Sequence, residues 1–149
     1  MTNKNSKLMV YTDGGSRGNP GPAAIGIVIK DAAGHLIKSY GEAIGGATNN
    51  EAEYRAVISA LQKIKALLGK EKIKKAVIEI NLDSELVAKQ LNAEYKIEEE
   101  RLFPLFIKIW NLKIDFGEIK FRHIPREKNK EADRLVNEVL DKEQKGLFG

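Results

Sequence analysis

The order of elements along the chain predicts an α/β fold, a mixed sheet with helices on its faces. Two observations carry that expectation. Three segments of alternating apolar residues stand together at the start, and from residue 48 onward helical and strand periods alternate. Residues 8–13 read as a strand, with Met9, Tyr11 and Asp13 on one face and Leu8, Val10 and Thr12 on the other. The stretch from Gly14 to Pro22, GGSRGNPGP, reads as a flexible turn. Residues 23–30 alternate Ile25, Ile27 and Ile29, and Asp31 to Gly34 turns the chain into a third strand, HLIKSYGEA. In TNNEAEYRAVISALQKIKALLG, Val57, Ala60, Leu61, Ile64 and Leu68 recur at helical spacing, and Gly69 closes the helix. Residues 76–82 read as a strand and 84–91 as a short helix started by an Asp83-Ser84 cap. A helix over 104–113 tolerates Pro104 in its first turn, and 118–124 forms a last strand. Ala132, Leu135, Val136, Val139 and Leu140 mark a final helix from Glu127 to Asp141. With no repeat, low-complexity tract or linker, residues 1–149 read as one domain, with 1–6 and about 143–149 as tails.

Composition narrows the classes. Hydrophobic residues at 42% and charged residues at 31% describe a chain able to bury a core, not a disordered one. No apolar run approaches the ~18 residues of a membrane span. MTNKNSK lacks the apolar segment of a signal peptide. The absence of cysteine excludes disulfides, thiolate metal sites and cysteine nucleophiles, and fits a cytoplasmic protein. A net charge of +4 leans toward a polyanionic partner.

Four acidic residues stand out by placement. Asp13 ends the first strand and Asp83 ends the strand 76–82, so parallel pairing would bring both to one carboxyl edge, where α/β sheets build sites. Glu53 lies in the first turn of the long helix, read as opposite the centre of its Val57–Leu61 stripe, and Asp133 lies near the start of the last helix. Each has an ordinary structural explanation: Asp83 as a cap, Glu53 as a favourable first-turn charge, Asp133 as a solvated helix residue. Their convergence beside a glycine-rich turn favours a joint role.

The segments YTDGGSRGNPGPAAIG, TNNEAEY, LDSELV and HIPREKNKEADRLVN, taken together and in order, resemble the type 1 ribonuclease H family, ribonuclease HI. The resemblance covers about residues 8 to 140. It implies a ribonuclease H-like fold, a five-stranded mixed sheet flanked by helices. It also implies metal-dependent endonucleolytic cleavage of the RNA strand of RNA–DNA hybrids, leaving 5′-phosphate and 3′-hydroxyl ends. The family's catalytic, metal-binding carboxylates fall on Asp13, Glu53, Asp83 and Asp133. Hard oxygen ligands suit Mg²⁺, two ions per site, with Mn²⁺ as a substitute, because two ions can hold the attacking and leaving oxygens of an in-line displacement.

Further residues take candidate roles. His123, ten residues before Asp133, is a candidate proton carrier where the family often has a histidine; the bland alternative is a strand residue facing the core. Gly14, in the turn beside Asp13, would let nucleic acid approach the backbone. Asn19, Thr48, Asn49 and Asn50 occupy positions where the family contacts the hybrid, although TNN could equally cap the helix. Arg17 could reach a phosphate, and KFRHIPREKNK offers Arg122, Arg126 and Lys128 as phosphate contacts.

The chain departs from the family in two places. Many bacterial members insert a basic handle helix where this chain has the short, acidic NAEYKIEEERLF, so this is a handle-less variant. Glu85 stands where family members often have glutamine; a carboxylate cannot donate a hydrogen bond, which loosens the expected selectivity and admits double-stranded RNA as a side substrate. A catalytically silent hybrid-binding module of the same fold is the alternative that the four carboxylates disfavour. With nothing resembling a hybrid-binding segment before Lys7, the sequence reads as a bare catalytic domain acting as a monomer, with no membrane partner.

Overall fold

Alternation in the first segments dictates the sheet. The computed structural model describes residues 6–148, with side chains as far as residue 146. Strands β1 (Lys7–Ser16), β2 (Gly21–Asp31) and β3 (Leu36–Ala47) form an antiparallel meander. Strands β4 (Val77–Leu82) and β5 (Glu118–His123) join it in parallel, giving the order β3-β2-β1-β4-β5. Helix α1 (Asn49–Ile73) connects β3 to β4, α2 (Glu85–Leu91) and α3 (Phe103–Ile114) connect β4 to β5, and α4 (Lys130–Phe148) ends the chain. No helix among the described residues is long and apolar enough to cross a membrane.

The sheet separates two apolar layers by parity. Ile25, Ile27 and Ile29 of β2 pack with Leu8, Val10, Tyr54, Val57 and Leu61 beneath α1. Ala24, on the opposite face of the same strand, packs with Val136 and Leu140 of α4. Each fully buried Ile or Leu contributes about 1.5–3 kcal/mol, so the α1 layer, which holds most of them, dominates the core. Close approach depends on two glycines. A Cβ on Gly14 would meet the Ala52 carbonyl of α1, and one on Gly26 would meet the Ala132 carbonyl of α4.

Several boundaries differ from the sequence expectation. β1 continues through Gly14 and Gly15 because its pairing with β2 persists to Ser16 opposite Ala23. The turn is thus confined to residues 17–20 and is closed by the Arg17 N–H donating to Pro22 O at 2.9 Å. Gly69, at φ 82°, ends the first stretch of α1 as expected, but a last helical turn follows it to Ile73. The final helix starts at Lys130 rather than Glu127, since residues 126–128 form a 3₁₀ turn after Pro125. It also runs beyond Asp141, so 143–148 are helix and not a tail. Arg17 fastens this extension, donating to Asp141 Oδ1 at 2.6 Å and Gln144 Oε1 at 2.7 Å. The tail expected at the N-terminus lies, for residues 1–5, outside the described residues.

The two glycine contacts yield a test by denaturant titration. Gly26→Ala forces α4 off the sheet and should lower stability by about 2–3 kcal/mol. Gly46→Ala, where an added Cβ meets nothing within 4 Å, should stay within about 0.5 kcal/mol of the parent. Equal losses at both positions would show that close α4–β2 packing is not the constraint.

Candidate active site

Parallel register builds the site. Thr12 of β1 stands opposite Leu82 of β4, so the residues that follow, Asp13 and Asp83, leave the sheet at the same edge. The first turn of α1 overhangs that edge and delivers Glu53. One carboxylate oxygen from each of Asp13, Glu53 and Asp83 lies within 4.8 Å of the others. All three, with Asp133, line a cleft of about 470 Å³. Asp133 comes from the first turn of α4 and its carboxyl lies beside Asp13, although it does not belong to the group whose oxygens all fall within 4.8 Å of one another.

Local chemistry explains how each carboxylate is held. Glu53 is buried, on the same face of α1 as Val57 four residues on, so its expected position opposite the apolar stripe is corrected. Its Oε1 accepts from the Gly14 N–H at 3.0 Å, while its Oε2 is buried with no hydrogen-bond partner. Asp83 is not the cap of α2: Ser84 takes that role, its Oγ accepting from the Val87 N–H at 3.2 Å. The sequence reading overlooked Asn129. Its buried amide donates both to Thr12 O at 2.9 Å and to Asp83 Oδ2 at 3.0 Å, tying β1, β4 and the start of α4 together. The signal was available in KNKEAD, an amide four residues ahead of an acidic site residue, just before the helix start.

Burial and mutual repulsion oppose ionisation here. Burial, reinforced by the charges of Asp83 and Asp133 and offset by a hydrogen bond with Glu53, pushes Asp13 up to about 7. Burial and then the Asp13 charge hold Glu53 well above the usual carboxylate range. A buried oxygen without a donor, in a group of crowded carboxylates, is a donor set suited to a hard cation.

The other candidates divide. Gly14, Asn49, Asn50 and Arg126 line the cleft. Gly14 is there to let α1 approach, not to expose backbone, because its missing Cβ is filled by Ala52. Asn49 Oδ1 accepts from Ser16 N–H at 2.9 Å, and the Asn49 N–H donates to Asn19 Oδ1 at 2.9 Å. These bonds bind the glycine turn to the start of α1. Asn50 donates to Glu99 Oε1 at 2.8 Å. Thr48 is not brought to the cleft: it is buried and its hydroxyl accepts from Glu51 N–H in a capping box. Arg122 also points elsewhere, its Nη1 lying 3.8 Å from Glu79 Oε2 on the open half of the sheet. Arg17 also lines the cleft, while its guanidinium is bonded to Asp141 and Gln144 of α4. His123 does not face the core. It ends β5, opposite Leu82 in register, with Nδ1 3.9 Å from Glu85 Oε2 and its side chain 40% exposed.

The raised carboxylates fix the sign of a pH effect. The folded chain without metal binds protons at Asp13 and Glu53 that the unfolded chain has already released. Their contribution to stability is complete below the ordinary carboxylate range and is lost as pH rises through about 7. Melting in chelator should therefore show the parent losing more stability between pH 5 and pH 8 than Asp13→Asn, by on the order of 2 kcal/mol. Parallel pH profiles for the two proteins would mean that Asp13 is not strained by its surroundings.

The comparisons agree with this geometry. The family model described as "Reverse transcriptase-like" matches residues 11–139. Ribonuclease HI of Halobacterium salinarum is 39% identical over 138 residues, covering 93% of this chain and 66% of that protein. The bifunctional protein Rv2228c of Mycobacterium tuberculosis is 38% identical over 91% of this chain and 36% of its own length. The chain thus spans just under two thirds of one relative and about a third of the other. Among solved structures, LC11-RNase H1, isolated from compost by a metagenomic approach, is 45% identical with a TM-score of 0.88, covering 93% of this chain and 98% of its own. LC11-RNase H1 in complex with an RNA/DNA hybrid superposes with a TM-score of 0.87 at 43% identity, over 92% and 99% of the two chains. Matched in sequence over most of its length and in fold by these relatives, the chain belongs to the type 1 ribonuclease H family.

Proposed function

We propose that this chain hydrolyses the RNA strand of RNA–DNA hybrids in the carboxylate cleft, with divalent metal, to 5′-phosphate and 3′-hydroxyl ends. The observation that carries the reading is the convergence of Asp13, Glu53 and Asp83 within 4.8 Å in a cleft rimmed by amide side chains. The complex of LC11-RNase H1 with a hybrid supports the choice of substrate. Asp13, Glu53 and Asp83 would hold one ion, and Asp133 would complete the set for a second; Mg²⁺ is the natural occupant and Mn²⁺ its substitute. When bound, the ions stabilise negative charge on the attacking and leaving oxygens of an in-line displacement.

The chain's own groups prepare that chemistry. The Gly14 N–H and the Asn129 amide orient Glu53 and Asp83 before anything binds, which removes a reorganisation cost from the reaction. Asn19 and Asn49 have their Oδ1 atoms occupied within the protein, so each turns its amide donor outward. Donors in that position suit 2′-hydroxyl and base-edge acceptors in a minor groove, a recognition that separates RNA from DNA without reading sequence. Arg126 supplies a cation at the cleft for a phosphate. His123 has Nδ1 near the Glu85 carboxylate, leaving Nε2 to exchange a proton with the departing product. The cytoplasm is the setting that fits this reading.

Matched RNA–DNA, RNA–RNA and DNA–DNA duplexes, labelled on each strand and incubated with Mg²⁺ or Mn²⁺, test the proposal. The RNA strand of the hybrid should be cut, DNA–DNA should survive, and RNA–RNA measures how far Glu85 relaxes selectivity. Asp83→Asn should lower cleavage by roughly a thousandfold or more while melting in chelator at or above the parent, since Ser84 caps α2. Near-normal cleavage by that variant, or cutting of DNA–DNA, would overturn the assignment.

A further inference from the structure

The short acidic segment between α2 and α3 folds back onto the start of α1, and polar contacts hold it there. Gln90, at the end of α2, is buried; its Oε1 accepts from the Tyr54 hydroxyl of α1 at 2.7 Å, and its Nε2 donates to Lys96 O at 3.3 Å. Burial, and then the charge of Glu99, hold the Tyr54 phenol above its ordinary range, so that hydroxyl keeps its proton as donor. Ile97 packs against the core and Leu102 is fully buried, its N–H donating to Glu99 O at 3.0 Å. Arg101 Nη1 lies 4.0 Å from Glu51 Oε1 in the first turn of α1. The backbone is thus fixed on both sides of Glu99. Its carboxylate meets Asn50, whose Nδ2 donates to Glu99 Oε1 at 2.8 Å on the rim of the carboxylate cleft.

We infer that Glu99 is a positioning residue for substrate recognition, holding the Asn50 amide in the orientation that meets a ribose 2′-hydroxyl of the RNA strand. The inference rests on the hybrid-cleavage reading above and adds to it a residue from outside the cleft. A carboxylate has no proton to give, so the end of the amide that faces Glu99 must be Nδ2. Its orientation is thereby fixed, and Oδ1 and the second N–H are left for a ligand. A 2′-hydroxyl can donate to that oxygen or accept from that N–H, whereas the hydrogen of a deoxyribose can do neither. An unheld amide would have to be ordered by the substrate itself, at a cost in conformational entropy. The effect belongs to binding and not to the metal-dependent step. Charge alone argues for the opposite outcome, since a glutamate at the rim repels phosphate and its removal would tighten binding. Acceptor and charge are separable, because glutamine keeps the oxygen and loses the charge, whereas alanine loses both. Water competes at so exposed a contact, so the expected effect is a few-fold.

The test compares Glu99→Ala with Glu99→Gln, both neutral, in hybrid cleavage with Mg²⁺ at about 0.15 M salt, where charges beyond roughly 8 Å are screened. KM should be about three- to tenfold higher for the alanine variant than for the glutamine variant, with kcat the same within about twofold. In an Asn50→Ala background the two substitutions should become indistinguishable, the signature of a residue that acts through Asn50. Binding of a DNA–DNA duplex, which offers no 2′-hydroxyl, should not distinguish them either. NMR relaxation of the Asn50 side-chain amide in the free protein should show it rigid in the parent and in Glu99→Gln, and mobile in Glu99→Ala. Equal KM values for the two variants overturn the inference. So does a difference that survives Asn50→Ala, or one that is as large for DNA–DNA binding. A parent that cuts no hybrid removes the activity reading and this inference with it, whereas a parent that cuts it while the two variants behave alike removes this inference only.

Discussion

The buried pairing of Asp13 with Glu53 is the interaction on which the rest of this structure turns. Two carboxylates taken out of water and set beside each other repel, and burial raises both proton affinities. A chain selected for stability alone would place apolar groups there. Here the surrounding fold forces the encounter: β1 is the central strand, α1 is drawn onto it at Gly14, and the Gly14 N–H fixes one oxygen of Glu53. The other oxygen is left without a donor. Strain of this kind persists where a ligand relieves it, and a divalent cation is the ligand that four converging carboxylates would accept.

The same economy holds around the cleft. Ser16, Asn19 and Asn49 join the glycine turn to α1, Asn129 joins the two parallel strands to α4, and Arg17 joins that turn to the end of α4. Every element that contributes a carboxylate is thus cross-braced to another by a polar contact near the site. The turn was expected to be loose; its bonds make it a fixed rim. Three residues read from the sequence as substrate contacts also have partners within the protein. Thr48 caps α1, Arg17 anchors α4, and Arg122 lies by Glu79 on the open sheet face.

Strand and helix order, the parallel placement of Asp13 and Asp83, and the four carboxylates were legible because each follows from period or spacing along a single segment. What was not legible depends on contacts between segments. Whether Glu53 faces inward depends on where α1 meets β1, and a first-turn glutamate gives no local sign of that. That Asp83 accepts from Asn129, 46 residues away in sequence, while Ser84 caps α2, has no local sign either. The start of α4 was misplaced because REK has good helical propensity, yet the turn after Pro125 closes as 3₁₀ bonds first. In α3, periodicity shows apolar residues without showing which meet the core: Ile109 is buried, whereas Ile107, Trp110 and Ile114 are exposed.

The central claim is that strained, proton-holding carboxylates form a cation site. Calorimetric titration of the protein with Mn²⁺ at pH 6.5, repeated in two buffers of different ionisation enthalpy, tests it most directly. Because Asp13 is pushed up to about 7 and Glu53 is also raised, metal must displace protons as it binds. The observed enthalpies should differ between buffers by an amount that reports proton release, and the difference should shrink in Asp13→Asn. Binding with no proton release, or no binding at all, would contradict the account.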